Sequence, residues 1–117
     1  MTIESRSSLD QLASRQLPAP PRLLDEAEKA ELLAALPSGW RLQDGMLRRA
    51  FPRPDYASGV RLVVAIGRLA DELNHHPELH LKWGELGFAV STHDVQGISE
   101  LDFILAAKVE QLATSSS

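Results

Sequence analysis

The chain has 117 residues, a formal net charge of −4 and no cysteine. The acidic balance argues against a nucleic-acid-binding domain, which needs a basic footprint. Without cysteine there is no disulfide framework, thiolate nucleophile or cysteine-based zinc site. Hydrophobic residues make up 44% and charged residues 24%, so one domain with one modest core is expected, and a second copy would help it bury surface.

Residues 1–21 are polar and end in "LPAPP", which reads as a flexible N-terminal tail with a semi-rigid proline spacer. "SLDQLASRQ" can form one or two helical turns, marginal in water on their own. The opening "MTIESRSSLD" lacks the pattern of a secretion signal. In "LLDEAEKAELLAALPSGW", Leu24, Ala27, Ala30 (or Glu31) and Leu33 recur at helical spacing, and Pro37 and Gly39 stop the helix. Asp44-Gly45 then separates two short runs, a strong hairpin signal, which predicts antiparallel strands at Trp40–Leu42 and Met46–Phe51.

Asp55 is a suitable N-cap for the long helix "YASGVRLVVAIGRLADEL". Two apolar rows, Leu62-Ile66-Leu69-Leu73 and Val60-Val63-Gly67-Ala70, flank a narrow polar stripe. So much apolar circumference predicts a second subunit or another helix against it. Its longest apolar run, Leu62–Ile66, is too short to span a membrane, and a cytoplasmic location with no membrane partner is expected. Pro77 ends this helix. "LHLKW" alternates, with Leu79, Leu81 and Trp83 on one face. "ELGFAVSTH" alternates too, with Leu86, Phe88 and Val90 opposite Gly87, Ala89, Ser91 and His93, and Gly84-Glu85 provides the turn between them. Ser99-Glu100-Leu101-Asp102 resembles a capping box opening a last helix to about Leu112. The expected fold is α+β: a four-stranded antiparallel sheet with three helices packed on one face, spanning residues 22–113, with 114–117 frayed.

All four histidines lie between His75 and His93. Histidines at a helix end can satisfy carbonyls and the helix dipole, which covers His75 or His76 but not His93. A metal site would use the spacing of four between His76 and His80, but Pro77 breaks the helix between them, so no metal is expected. Acid–base chemistry fits better, because imidazole both gives and takes a proton near neutrality. His75 and His76 at a helix end, facing His93 at a strand end, would surround one small substrate. Gly87, Ala89 and Ser91 leave room for a flat ligand, and Trp83 is either a stacking surface or core.

The constellation Asp71, His75, His76, Pro77, Trp83, His93 and Asp102, with "STHD" and "GISELD", resembles the pterin-4a-carbinolamine dehydratase family over roughly residues 24–113. That resemblance implies dehydration of a 4a-hydroxytetrahydropterin to quinonoid dihydropterin, in tetrahydropterin recycling, without cofactor. It implies homodimers or homotetramers with sheets joined across subunits. It assigns His75, His76 and His93 to catalysis, with His76 as the acid, and Asp71, Trp83, Ser91 and Thr92 to the pterin, Asp71 also orienting His75. A binding or assembly role on the same fold, of the Rubisco or transcriptional-partner kind, is the alternative. Asn74, Leu79, Trp83-Gly84 and Leu101 depart from residues frequent in the family.

Overall fold

A computed structural model describes the backbone of residues 2–115 and the side chains of residues 8–115. The first hairpin pairs β1 (Arg41–Gln43) with β2 (Met46–Pro52). Its turn residues Asp44 and Gly45 both have positive φ, 55° and 76°, as a two-residue turn matching strand twist requires. The second hairpin pairs β3 (Glu78–Lys82) with β4 (Glu85–Val90). Its turn is Trp83-Gly84 with Gly84 at φ 84°, one residue earlier than expected, so Trp83 leaves the alternation and lies 75% exposed at the hairpin tip. The two hairpins join through β2 and β4, giving a wholly antiparallel sheet in the order β1-β2-β4-β3.

The register puts Leu42, Leu47, Phe51, Leu79, Leu81, Leu86, Phe88 and Val90 on one face. These join a single core cluster with Leu62 and Ile66 of α3 (Tyr56–Leu73) and Phe103, Ile104 and Leu105 of α4 (Glu100–Ser115). The α+β class and the four-stranded sheet are therefore as expected. The α3 bounds also agree: the Asp55 side chain accepts the Ser58 N–H at 2.8 Å, capping the helix as its sequence position implies. Gly59 allows α3 to approach β3, since a Cβ there would come within 2.6 Å of Leu81 Cδ1. Tyr56, Val60 and Val64 remain exposed along the same helix.

The N-terminal segment corrects the expected tail. Residues Thr2–Ala13 form helix α1, with Leu9, Leu12 and Ala13 buried in the core cluster. Gln111 Nε2 donates to Asp10 Oδ1 at 2.9 Å, and Arg15 pairs with Glu100 at 2.7 Å, so α1 lies on α4. Docking supplies what an isolated short helix lacks, about 1.5–3 kcal/mol for each fully buried leucine. It also explains why α4 is buried from Asp102 through Ala107 without a polar stripe. The described residues thus form four α-helices where three were expected. The second, α2 (Glu26–Ala34), has the Asp25/Glu28 capping box and buries Leu32, with Leu36 just beyond it. The expected face is displaced, since Ala27 and Ala30 are exposed. At the other end α4 continues to Ser115, past the expected fraying point, and Ser116 and Ser117 lie outside the described residues.

One buried acid ties α4 to the sheet side of the core. Trp40 Nε1–H donates to Glu110 Oε1 at 2.7 Å, and Arg49 Nε lies 3.3 Å from the same oxygen. Trp40 packs edge-on against Phe51 and Phe88. A buried carboxylate needs such partners to offset its lost hydration.

Candidate active site

The site begins where α3 stops. Asn74 adopts the left-handed conformation (φ 53°, ψ 44°), and the His75 N–H returns to the Ala70 carbonyl at 3.0 Å. Asparagine tolerates this conformation better than most residues, and the motif satisfies the last carbonyls of the helix. The reversal separates two adjacent histidines. His75 is 9% exposed, whereas the His76 side chain is 57% exposed.

His75 meets the fully buried Asp102, with Nε2 2.7 Å from Oδ1. The second carboxylate oxygen accepts from Thr92 Oγ1 at 2.8 Å and from the Ser99 N–H at 2.9 Å. An ionised carboxylate only accepts, so the His75 Nε2–H is the donor and Nδ1 is left to take a proton. The hydroxyl order follows. Thr92 Oγ1 gives its proton to Asp102, so Ser99 Oγ donates to Thr92 Oγ1 at 2.6 Å, and Ser99 Oγ itself accepts the Leu101 N–H at 3.2 Å. Three segments, the end of α3, the residues after β4 and the start of α4, thereby close on one carboxylate.

The expected capping box is present in altered form. Ser99 precedes α4 and its N–H is taken by Asp102, but its hydroxyl takes Leu101 N–H rather than Asp102 N–H. The acid that starts the helix is also the partner of His75. Asp71, expected to orient His75, instead lies 2.9 Å from His76 Nε2. The break at Asn74 accounts for the exchange: helical spacing would stack Asp71 under His75, and the left-handed turn removes His75 from that face.

The remaining expected site residues divide by exposure. His93 is exposed and opens a single 3₁₀ turn, His93–Val95, directly after Thr92. It lies beyond β4 rather than at the strand end. Thr92 is 3% exposed and its hydroxyl is spent within the network, so it positions rather than presents itself to a ligand. Ser91 is partly buried and Trp83 is at the hairpin tip. The Thr92-to-Gly97 loop is closed by Thr92 N–H to Gly97 O at 2.8 Å and the return bond at 3.3 Å. Sequence reasoning named Asp102 only as a signature residue and helix cap, and left Ser99 out of the site. The Ser-x-x-Asp spacing was the available signal for both.

Chemically, His75 is an imidazole held in one orientation by a buried carboxylate. His76 and His93 are solvent-facing imidazoles, each next in the chain to a member of the network. Among the described residues, no group of three or more His, Asp or Glu gathers to hold a metal ion, and no helix is long and apolar enough to cross a membrane.

Residues 22–112 match the family model of pterin 4 alpha carbinolamine dehydratase. A protein of Xanthomonas oryzae pv. oryzae, provisionally named for that activity, is 45% identical over 91 residues, 76% of either chain. A similarly named protein of Roseiflexus castenholzii is 36% identical over 90 residues, 77% of this chain and 96% of its own. Among solved structures, a transcriptional coactivator/pterin dehydratase from Brucella melitensis superposes with a TM-score of 0.74 at 30% identity, over 79% of this chain and 99% of that one. A pterin dehydratase-like RuBisCO assembly factor of the alpha-carboxysome gives 0.56 at 26% identity, over 64% of this chain and 89% of that one. This acidic α+β chain, with His75 held on the buried Asp102, belongs to the pterin 4 alpha carbinolamine dehydratase family.

Proposed function

We propose that the protein dehydrates 4a-hydroxytetrahydropterin to quinonoid dihydropterin and water. The C4a–O bond breaks as the hydroxyl receives a proton, and N5 gives up a proton to a base. Proton gain and loss balance, so the reaction needs two positioned proton carriers and no redox partner. His76, accessible and beside Asp71, is assigned as the acid at the 4a-hydroxyl. His75 and His93 are assigned to holding the pterin and accepting the N5 proton, and Ser91 and Trp83 to the ring. Asp71 acts through His76 and Thr92 through Asp102.

The observation that carries this reading is the 2.7 Å His75–Asp102 pair in a fully buried carboxylate network. Such a network fixes one tautomer, which catalysis needs and a docking surface does not. The exposed Tyr56, Val60 and Val64 of α3 support self-association as a homodimer or homotetramer, and a cytoplasmic location is part of the same proposal. A second reading, a protein-binding or assembly role, is favoured by the likeness to a RuBisCO assembly factor. The two part on one measurement: the decay of freshly generated 4a-hydroxytetrahydropterin, followed by ultraviolet absorbance with wild type and His76→Ala. Acceleration by wild type, lost in the variant, supports the enzyme. Decay at the uncatalysed rate in both supports the assembly role.

A further inference from the structure

The sheet face turned away from the helices carries a second constellation that the dehydration does not use. Arg41 and Arg48 sit directly opposite one another on β1 and β2. Like charges in that position repel, and among the described residues neither has a salt-bridge partner. Both are instead held by Gln43: Arg41 Nε donates to its side-chain Oε1 at 2.9 Å, and Arg48 Nε to its carbonyl at 3.1 Å. With both Nε groups occupied and Arg48 Nη2 reaching Met46 Sδ at 3.6 Å, the terminal amino groups of Arg41 and Nη1 of Arg48 remain to grip an oxyanion between them.

The next positions across the sheet form a floor. Arg48 is paired with Ala89, and Ala89 with Glu78; alongside run Ala50, Gly87 and His80. These residues line a groove of about 320 Å³ that includes none of His75, His76 or His93. That volume is in the range of small-molecule sites. Its two ends differ in charge. Two guanidiniums stand at the β1–β2 side, and at the β3 side Glu78 has no ion pair among the described residues, while Glu85 is engaged with Lys82 at 3.7 Å.

We propose that this groove binds a small organic phosphate, its dianionic end on Arg41 and Arg48 and hydroxyl donors at its other end on Glu78. The charge of two paired guanidiniums matches a phosphomonoester. A carboxylate two strands from Arg48 and three from Arg41, about 10 Å and about 14 Å at ordinary strand spacing, selects against a bare anion and for a ligand long enough to bring donors to it.

Ribose 5-phosphate and inorganic phosphate are the probes, titrated into the full chain with amide chemical shifts as the readout. Wild type is expected to bind ribose 5-phosphate saturably, with shifts centred on Arg48, Gly87 and Ala89 and not on His75. The Arg41→Gln/Arg48→Gln double variant should bind both probes at least about tenfold more weakly, since two charge-assisted contacts are lost. Glu78→Gln should weaken ribose 5-phosphate and leave inorganic phosphate unchanged. Thermal melting provides a control independent of chemical shifts: ribose 5-phosphate should raise the wild-type Tm and leave that of the folded double variant unmoved. Absence of saturation, binding unaltered by the double variant, or shifts centred on His75, His76 and His93 would overturn the proposal.

Discussion

Asp102→Asn is nearly isosteric and tests the centre of the site. The carboxylate accepts three hydrogen bonds, from His75 Nε2, Thr92 Oγ1 and the Ser99 N–H. The last two converge on Oδ2, so the asparagine oxygen stays there and its amide faces His75. His75 Nε2 must then accept, and the ring proton moves to Nδ1. Each bond to a charged acceptor contributes about 1.5–3 kcal/mol and a neutral one about 0.5–1.5, so three weakened bonds cost about 3 kcal/mol. Easier burial of a neutral amide offsets part of this, leaving about 2 kcal/mol, or a Tm lowered by about 10 °C. Activity should fall further than stability, because a proton carrier in the wrong tautomer forfeits a contribution of about 100-fold or more. Ring nitrogen shifts of His75, melting, and pterin dehydration at a temperature where the variant is folded measure the three effects. An unchanged His75 tautomer with a wild-type rate would refute the role given to Asp102.

Leu12→Ala should release α1 from α4. Its side chain is 2% exposed, and the loss is expected near the lower end of the leucine-to-alanine range, about 2–3 kcal/mol, because a terminal helix can detach. An unchanged urea midpoint would exclude α1 as part of the core. Glu28 is held well below the usual carboxylate range, to about 2, by the Arg22 guanidinium and then by the Asp25 N–H. A lowered folded-state pKa means its contribution is complete above the ordinary value of about 4.5 and lost as pH falls through about 2. Glu28→Gln should therefore flatten the acid limb of α2 unfolding in that window, and a carboxyl-carbon titration with a midpoint near the ordinary value would contradict the pairing.

Local chemistry made much of the fold legible. Asp44-Gly45, Asp55 and the Ser99–Asp102 spacing each encode a turn or helix start in neighbouring residues, and each is found at its place. The failures have two causes, long-range packing and local turns set by residues at positive φ. The α1 helix is marginal alone and depends on α4, to which nothing in its own residues points. Alternation was extended through Trp83 because a period of two gives no stopping signal, whereas Gly84 at positive φ sets the turn. Within the site, the histidines and Asp102 stood out by type and spacing. Their pairing did not, since an αL residue at Asn74 decides whether Asp71 meets His75 or His76.

The double use of Asp102 also bears on how the molecule opens. The first turn of a helix ordinarily frays at little free-energy cost. Here that turn cannot loosen without uncovering His75 and releasing the loop after β4. Opening of the Asp102 network and fraying of α4 are therefore a single cooperative event. The amide protons of Ser99 and Leu101 should exchange with solvent at a common rate, set by the whole unit rather than by their nearness to a helix end.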